Sequence, residues 1–333
     1  MITLARLYLL IAIISCTFSQ KGTAQIVDTS KQKYSYAEMM DDLKALQKLY
    51  PECITCSDGD KTCQGRVIPI VTFGSPDAKH KMMVQASIHA REYMSTLVVM
   101  SLLEHYARNY TEGEYKGKKI KDTFNDVCLV ILPMVNPDGV EIAQKGEKGA
   151  VTGDVREWVR QTVAKGTPYN QIKSNARGVD LNRNFRNGFG KDRRKKNVKG
   201  FSHYPGPEPY SEAESKLLLK VAEQHDFDCF LNYHTCGNLV YYGCKNATAA
   251  VNAKALAVSK IIKQHTAFPL YGPDSAPECG SWADEVEVLY QKPSATIELG
   301  TKNPVPLQEY NTLFKKNLWI WADLADALVN GGL

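Results

Sequence analysis

The strongest constraint on this chain is the alternation of short, continuously apolar runs with longer segments of helical period. Val67-Ile68-Pro69-Ile70-Val71, residues 82–86, 127–135, 227–233 and 294–299 are each apolar and end in turn-forming or polar residues. Such runs are the pattern of strands buried on both faces, the signature of a sheet covered by helices. Between them lie segments with apolar residues three and four apart. Residues 36–49, with Met39, Leu43, Leu46 and Leu49, form a helix closed by Pro51. Residues 94–106, 212–224, 249–265 and 313–328 follow, the second of these with Ser211 and Glu214 placed as a capping box, the last with Trp319 and Trp321. Asn136-Pro137-Asp138-Gly139 has the composition of a turn after the 127–135 run. Neither linker nor repeat interrupts the alternation. The expectation is therefore one α/β domain over 34–330, with a mixed, mostly parallel, twisted sheet and helices on both faces. The 333 residues, 44% of them hydrophobic, suffice for one large core.

The amino terminus reads differently. A lone Arg6 precedes an apolar run from Leu7 to Ser15, too short to cross a bilayer. It reads as a signal peptide over 1–19 with cleavage at 19–24, which makes the protein secreted. Ile13-Ile14-Ser15-Cys16 also suits a bacterial lipoprotein signal, with Cys16 carrying the lipid. Nothing later approaches the roughly 20 apolar residues of a membrane span. Export agrees with eight further cysteines, an even number, some of which are expected in disulfides; Cys53 and Cys56 with Cys63 read as a local bridge before a zinc or redox site. Asn109 and Asn246 stand in glycosylation triplets. A net charge of +5 and one basic run among glycines, 191–196, give no footprint of a nucleic-acid partner, and a monomer is expected.

Chemistry gathers at the ends of the apolar runs. His89 and Glu92 stand three apart, just after one buried run and just before a helix, so both can converge on one metal ion. HxxE alone is a weak signal. His234, at the end of a second buried run, supplies a third ligand where ligand-bearing loops of open α/β sheets collect. Glu298 sits inside the apolar run Ser294-Ala295-Thr296-Ile297-Glu298-Leu299, and burying a carboxylate is costly unless it is paired, near a metal or functional.

HAREY (89–93), NPDG (136–139), GVDLNRNF (178–185), NYHT (232–235) and TIELG (296–300) occur in this order, and with them the chain resembles the zinc carboxypeptidases of the carboxypeptidase A type. The resemblance runs from Tyr34 to Leu328. It implies one zinc ion per chain, bound by His89, Glu92 and His234. Glu298 then matches the glutamate that takes a proton from the attacking water and delivers it to the leaving amine. Asn182 and Arg183 match the pair that grips a terminal carboxylate, and Arg91 an arginine lining the cleft. Such roles agree with the chemistry of the groups, because bound zinc acidifies water to a pKa of about 7 and a guanidinium holds a carboxylate bidentately.

Departures from the pattern leave choices open. The oxyanion cation is Lys173 in the spacing of bacterial relatives, with Arg160 and Arg177 as alternatives. No substrate-capping tyrosine is evident around 272–281, and Tyr271 is distant from the expected place. The segment that shapes the pocket for the terminal side chain reads Gly280-Ser281-Trp282-Ala283-Asp284-Glu285, with its tryptophan displaced and Asp284 near the family's aspartate. Cys236 replaces a cleft residue. These details resemble the bacterial branch, some of whose members cut γ-D-glutamyl to diaminopimelate bonds in cell-wall peptides. The leading expectation is a carboxypeptidase acting on peptides, the second a cell-wall peptidase, the third an inactive binding module on the same scaffold. The short stretch before Tyr34 is too small for a folded inhibitory prodomain.

Overall fold

The structure is a computed structural model that describes residues 25–275 and 278–333. The leader, its cleavage region and Cys16 lie outside the described residues. The strands are β1 (Ile54–Lys61), β2 (Val67–Phe73), β3 (His80–Ala86), β4 (Glu114–Tyr115), β5 (Lys118–Lys119), β6 (Val127–Leu132), β7 (Cys229–His234), β8 (Leu239–Tyr242), β9 (Leu270–Tyr271) and β10 (Ser294–Glu298). The helices are α1 (Tyr36–Leu49), α2 (Tyr93–Arg108), α3 (Ile120–Asp126), α4 (Pro137–Lys145), α5 (Gly153–Ala164), α6 (Ala213–Gln224), α7 (Ala249–Thr266), α8 (Trp282–Leu289), α9 (Tyr310–Asn317) and α10 (Ile320–Val329).

Eight strands form one sheet in the order β1-β2-β6-β3-β7-β10-β8-β9, while β4 and β5 make a separate hairpin. The centre, β6-β3-β7-β10, is parallel; β2 is antiparallel to β6, and β8 to β10. The expected mixed, mostly parallel sheet is thus the observed one.

Alternation along each strand divides the core between two faces. Met82, Val84 and Ala86 of β3, Leu231 and Tyr233 of β7, and Ala295 and Ile297 of β10 pack on one side with Leu97 of α2, Val258 of α7 and Trp321 of α10. Met83, Val130 and Phe230 pack on the other with Leu217 and Val221 of α6 and Trp282 and Val286 of α8. By the same period of two, Gln85, Asn232, His234, Thr296 and Glu298 belong to this second face, at the carboxyl end of the sheet. Polar residues here leave a gap in the apolar layer, and that gap is the functional cavity.

Several elements depart from the sequence expectation. Asn136-Pro137-Asp138-Gly139 begins α4 instead of forming a free turn: Asn136 is the N-cap, its Oδ1 accepting from the Gly139 amide, and Pro137 occupies the first helical turn. The capping box at α6 is not made. Ser211 donates instead to Glu212 and accepts from Asn184, and the N-cap is Glu212. The closing helix is two, α9 and α10, broken at Leu318 and Trp319. Strand β1, sequence ITCSDGDK, is a polar edge strand that no apolar run announces. No disulfide joins the eight described cysteines, which are free thiols, so the expected bridges find no support.

Asn136 also donates from Nδ2 to the Ile88 carbonyl at 3.2 Å, tying the start of α4 to the segment before His89. Asn136→Ala removes a cap and this tie together, and a loss of about 1–2 kcal/mol of stability is expected in urea unfolding.

Candidate metal centre and active site

Between β3 and α2 the chain turns a corner. Ser87 adopts a left-handed conformation (φ 50°), with its hydroxyl 2.7 Å from that of Thr96 and donating to the Glu92 carbonyl. This turn brings His89 and Glu92 to the edge of the sheet. Glu92 occupies the N-cap of α2 yet makes no side-chain cap; its carboxylate points away from the helix amides and into the site. His234 ends β7 and Glu298 ends β10, opposite one another in register.

The three proposed ligands converge. Nδ1 of His89 lies 2.9 Å from Glu92 Oε1, and Nδ1 of His234 lies 3.0 Å from Glu92 Oε2. One ligand atom from each residue falls within 4.8 Å of the others, and all three side chains are buried. Burial opposes the charge on Glu92, but the two imidazoles outweigh it and hold the carboxyl well below its usual range. Two imidazole nitrogens and a carboxylate oxygen form a donor set that zinc takes in hydrolytic sites, leaving a position open. A second observation supports the fit. His89 Nε2 and Asp180 Oδ1 are buried 3.2 Å apart but poorly aligned, and neither atom has another partner. When Nδ1 serves as ligand, Nε2 carries the proton and Asp180 is its acceptor, the usual support of a metal-bound histidine. Asp180 is itself held well below the usual carboxylate range, where His89, Arg183 and Lys173 outweigh the cost of burial.

His89, His234 and Glu298 open onto one cavity of about 230 Å³, together with Lys173, Asn182, Arg183 and Asp284. Glu298 is only partly exposed, towards the cavity. Burial pushes its carboxyl up to about 7, helped by Glu92 and opposed by His234, Lys173 and Arg91. Of the three candidate oxyanion cations the structure brings only Lys173 here, because the Ile172 and Lys173 carbonyls accept from the Arg91 and Ala90 amides beside the ligands. Arg160 is a correction: it sits on the outer surface of α5, paired with Glu147 and Glu157. Arg177 is another, paired with Glu212 at 3.4 Å and facing a different surface groove. Arg91 does not line the cavity; its Nη1 donates to Gln171, and its charge still acts on Glu298.

Arg183 is nearly buried, its Nε donating to Asp192 and its Nη1 to the Asn182 carbonyl. Although burial opposes it, the Arg183 guanidinium and the Arg194 amide lower the Asp192 carboxyl to about 2. Asn182 Oδ1 accepts from the Trp282 amide at 2.9 Å, and the Phe185 amide donates to the Gly280 carbonyl. Gly280 has φ 76°, and a Cβ there would lie 2.7 Å from the Arg183 carbonyl, so only glycine lets these two segments touch. Trp282 fills the core against Phe185 and Phe230 and also lines the cavity. Tyr271 packs on Tyr241, with ring centroids 5.6 Å apart; Tyr241 and Tyr242 line the cavity and Tyr271 does not. Cys236 is a half-buried thiol whose surroundings include Glu298. Asp180, Gln85, Asn232 and Glu287 were not singled out from sequence; the polar residues Gln85 and Asn232, placed inside apolar runs, are the signal available for two of them.

Asp180→Asn is expected to weaken zinc binding about 10–100-fold in competition with a chelator, whereas His89→Ala abolishes stoichiometric binding. Zinc should also raise the melting temperature of the wild type and not that of His89→Ala. Comparison with known proteins agrees with this centre. The chain is 26% identical over 308 residues to gamma-D-glutamyl-L-diamino acid endopeptidase 1 of Lysinibacillus sphaericus, covering 91% of this chain and 74% of that protein. It is also 26% identical over 256 residues to metallocarboxypeptidase A of Trichophyton rubrum, covering 73% of this chain and 56% of that one. The crystal structure of carboxypeptidase A from Helicoverpa armigera superposes with a TM-score of 0.64 at 21% identity, over 90% of this chain and 75% of that one, and shares the fold. A family profile, Peptidase_M14, described as zinc carboxypeptidase, matches residues 39–299, and the chain therefore belongs to the zinc carboxypeptidase family.

Proposed function

We propose that this zinc metallopeptidase hydrolyses the amide bond next to a terminal carboxylate, and that it does so outside the cell. The observation that carries the first part is the presence of Asn182 and Arg183 in the same cavity as His89, His234 and Glu298. A guanidinium with its Nε fixed by Asp192 is pre-organised to receive a carboxylate, and Asn182, anchored through Oδ1, keeps its amide nitrogen as a second donor. Such a grip fixes the scissile bond relative to Glu298 and converts binding into orientation.

His89, Glu92 and His234 would hold zinc, which when bound would supply Lewis acidity to the scissile carbonyl and to water. Glu298, at the cavity rim, takes the proton of the attacking water and returns it to the departing amine. Lys173 carries the positive charge that favours the developing oxyanion, a contribution of about 3–4 kcal/mol per donor in well-studied cases. Asp180 keeps His89 in the tautomer that leaves Nδ1 free as a ligand.

A second reading of the substrate has specific support. The relative in Lysinibacillus sphaericus is named for the γ-D-glutamyl-diamino acid bond, and it aligns over 91% of this chain. Both substrates offer a carboxylate to Arg183, so the centre serves either. Export is supported by the apolar run at 7–15. No helix among the described residues is long and apolar enough to cross a membrane.

Purified protein incubated with free-ended peptides, their carboxyl-amidated counterparts and cell-wall tri- and tetrapeptides tests the assignment. Cleavage of the free-ended forms, loss with amidation and loss with a chelator are expected; equal cleavage of amidated peptides would remove Arg183 as the carboxylate grip. Glu298→Gln should retain one equivalent of zinc and lose about 10²–10⁴-fold in turnover, and a near-normal rate would displace Glu298 as the base.

A further inference from the structure

Ser211 and Glu214 have the spacing of a capping box but do not cap α6, and Glu212 between them is its N-cap. Both acids are 1% exposed. They face the segment 175–184, which carries Asp180, Asn182 and Arg183 and begins and ends in a fully buried asparagine. At its start, Asn175 Nδ2 donates to Glu212 Oε2 at 2.8 Å and lies 3.3 Å from each oxygen of Glu214. Oδ1 of Asn175 accepts from the Arg177 and Val179 amides, and the Asn175 amide donates to the Val179 carbonyl, so the residue before Asp180 is tied twice. At its end, Asn184 Oδ1 accepts from the Glu212 amide at 3.3 Å. Asn184 Nδ2 donates to the Ser211 hydroxyl at 2.9 Å, which donates in turn to Glu212 Oε1 at 2.8 Å. One residue, Glu212, thus holds both ends of the segment. None of Asn175, Asn184, Glu212 and Glu214 lines the catalytic cavity.

Charge makes this hold conditional. Glu212 has a cation nearby, the Arg177 Nε at 3.4 Å, on a side chain more than half exposed. Arg66 is committed to Asp138 at 2.6 Å. Among the described residues no cation pairs with Glu214. Its titratable neighbours are Glu212 on its own helix, Asp138 on α4 and the Cys63 thiol between β1 and β2, and none of them can carry positive charge. Burial first, then Glu212 and Asp138, push the Glu214 carboxyl up to about 8, against the pull of its own amide and of Asn175. A carboxyl that stays neutral lets one amide face two acids. Ionised, it would set two buried like charges against each other across that amide.

Resting on the reading that Arg183 holds a terminal carboxylate and that zinc takes His89, we infer that Glu212 and Glu214, joined through Asn175, are positioning residues for the active site, and that they hold the 175–184 segment in place only while the pair retains one proton. With the proton lost, the two acids separate and release Asn175, and Val179 and Asp180 lose their ties. His89 then loses its acceptor and Arg183 its setting. Glu298 and Lys173 lie outside the segment, so the damage falls on zinc affinity and KM more than on kcat. An alkaline limit on the reaction is thereby set by acids that touch neither substrate nor metal.

The zinc-loaded full chain, wild type and Glu214→Gln, tests this between about pH 7 and about pH 9.5, a range that spans the titration of the pair. KM and kcat are measured on a free-ended peptide, and zinc affinity by competition with a chelator. Glutamine has the shape of the protonated acid and no charge to gain. Groups of the centre itself titrate alike in both proteins and cancel in the ratio of variant to wild type. Across this range the ratio should move about tenfold in favour of Glu214→Gln for zinc affinity and for KM, the size expected of a lost outer partner of a metal ligand, and less than about threefold for kcat. Asn175→Ala, which removes the joint at every pH, should weaken zinc binding and raise KM by about tenfold already at the lower end. A flat ratio overturns the inference, and so does an Asn175→Ala protein with wild-type zinc affinity and KM. Should Asn175→Ala fail to fold, the Glu214→Gln ratio decides alone. A zinc-affinity ratio that rises with pH, in a protein that cuts no free-ended peptide, upholds the positioning pair and sinks the proposed reaction. A flat ratio in a protein that cuts them sinks the pair and leaves the reaction standing.

Discussion

Glu92 is approached by the His89 and His234 imidazoles and by the Thr235 amide at 3.1 Å, and through this one carboxylate two segments 142 residues apart meet. A buried carboxylate costs several kcal/mol unless its charge and its lone pairs are all answered. Here both oxygens are answered by groups that the sheet delivers. The parallel pairing of β3 with β7 and of β7 with β10 places the ends of three strands side by side, so His234 and Glu298 arrive at one end of the sheet directly from their strands, and His89 arrives by the short turn that follows β3. A slip of one residue in β7 or β10 would turn His234 or Glu298 into the opposite, wholly apolar face. Register is therefore the condition on which the centre rests, and the apolar alternation of Leu231, Tyr233, Ala295 and Ile297 enforces it.

Charge is distributed in the cavity by depth. Lys173 acts on both Asp180 and Glu298, and Arg183 on Asp180, near the metal ligands, where a carboxylate and a developing oxyanion need positive surroundings. Further in, α8 presents Asp284 and Glu287. The two regions share one apolar support, the Phe185, Phe230 and Trp282 cluster, which packs beneath both. Asp192 fixes Arg183 between the two regions, and the guanidinium charge also reaches Asp284.

Much of this was legible in the sequence because buried parallel strands write themselves as unbroken apolar runs. Helix α1 matches its expected limits, and the strands bearing His234 and Glu298 were located to within two residues. What failed has identifiable causes. β1 is a half-exposed edge with the polarity of a loop, and β8 is too short to show a period. Ser211 carries the right spacing for a cap but was drawn into bonds with Asn184 and Glu212, which lie close only after folding. Lys173 was preferred on spacing over Arg160 and Arg177, but the sequence left those two open, since the choice depends on how the 165–178 loop runs back past Ala90 and Arg91. Glu287 was invisible for another reason: an acid on a short amphipathic helix has the look of a solvated face, and only the position of α8 over β10 turns it inward.

The bond from Trp282 to Asn182 and the contact of Gly280 with Phe185 make one rigid body of the loop that faces the carboxylate and the helix that faces the side chain. Under the proposed function, a terminal residue in this cavity would be held at its carboxylate by Asn182 and Arg183, with its side chain towards α8 and its amide at the metal centre beside Glu298. Those are three of the four substituents of its α-carbon, and because the three holding groups cannot shift relative to one another, they define a handed frame. Only one configuration of the α-carbon fits such a frame; its mirror image exchanges two of the three positions. The backbone conformation of a single glycine thus bears on the stereochemistry of what the protein cuts.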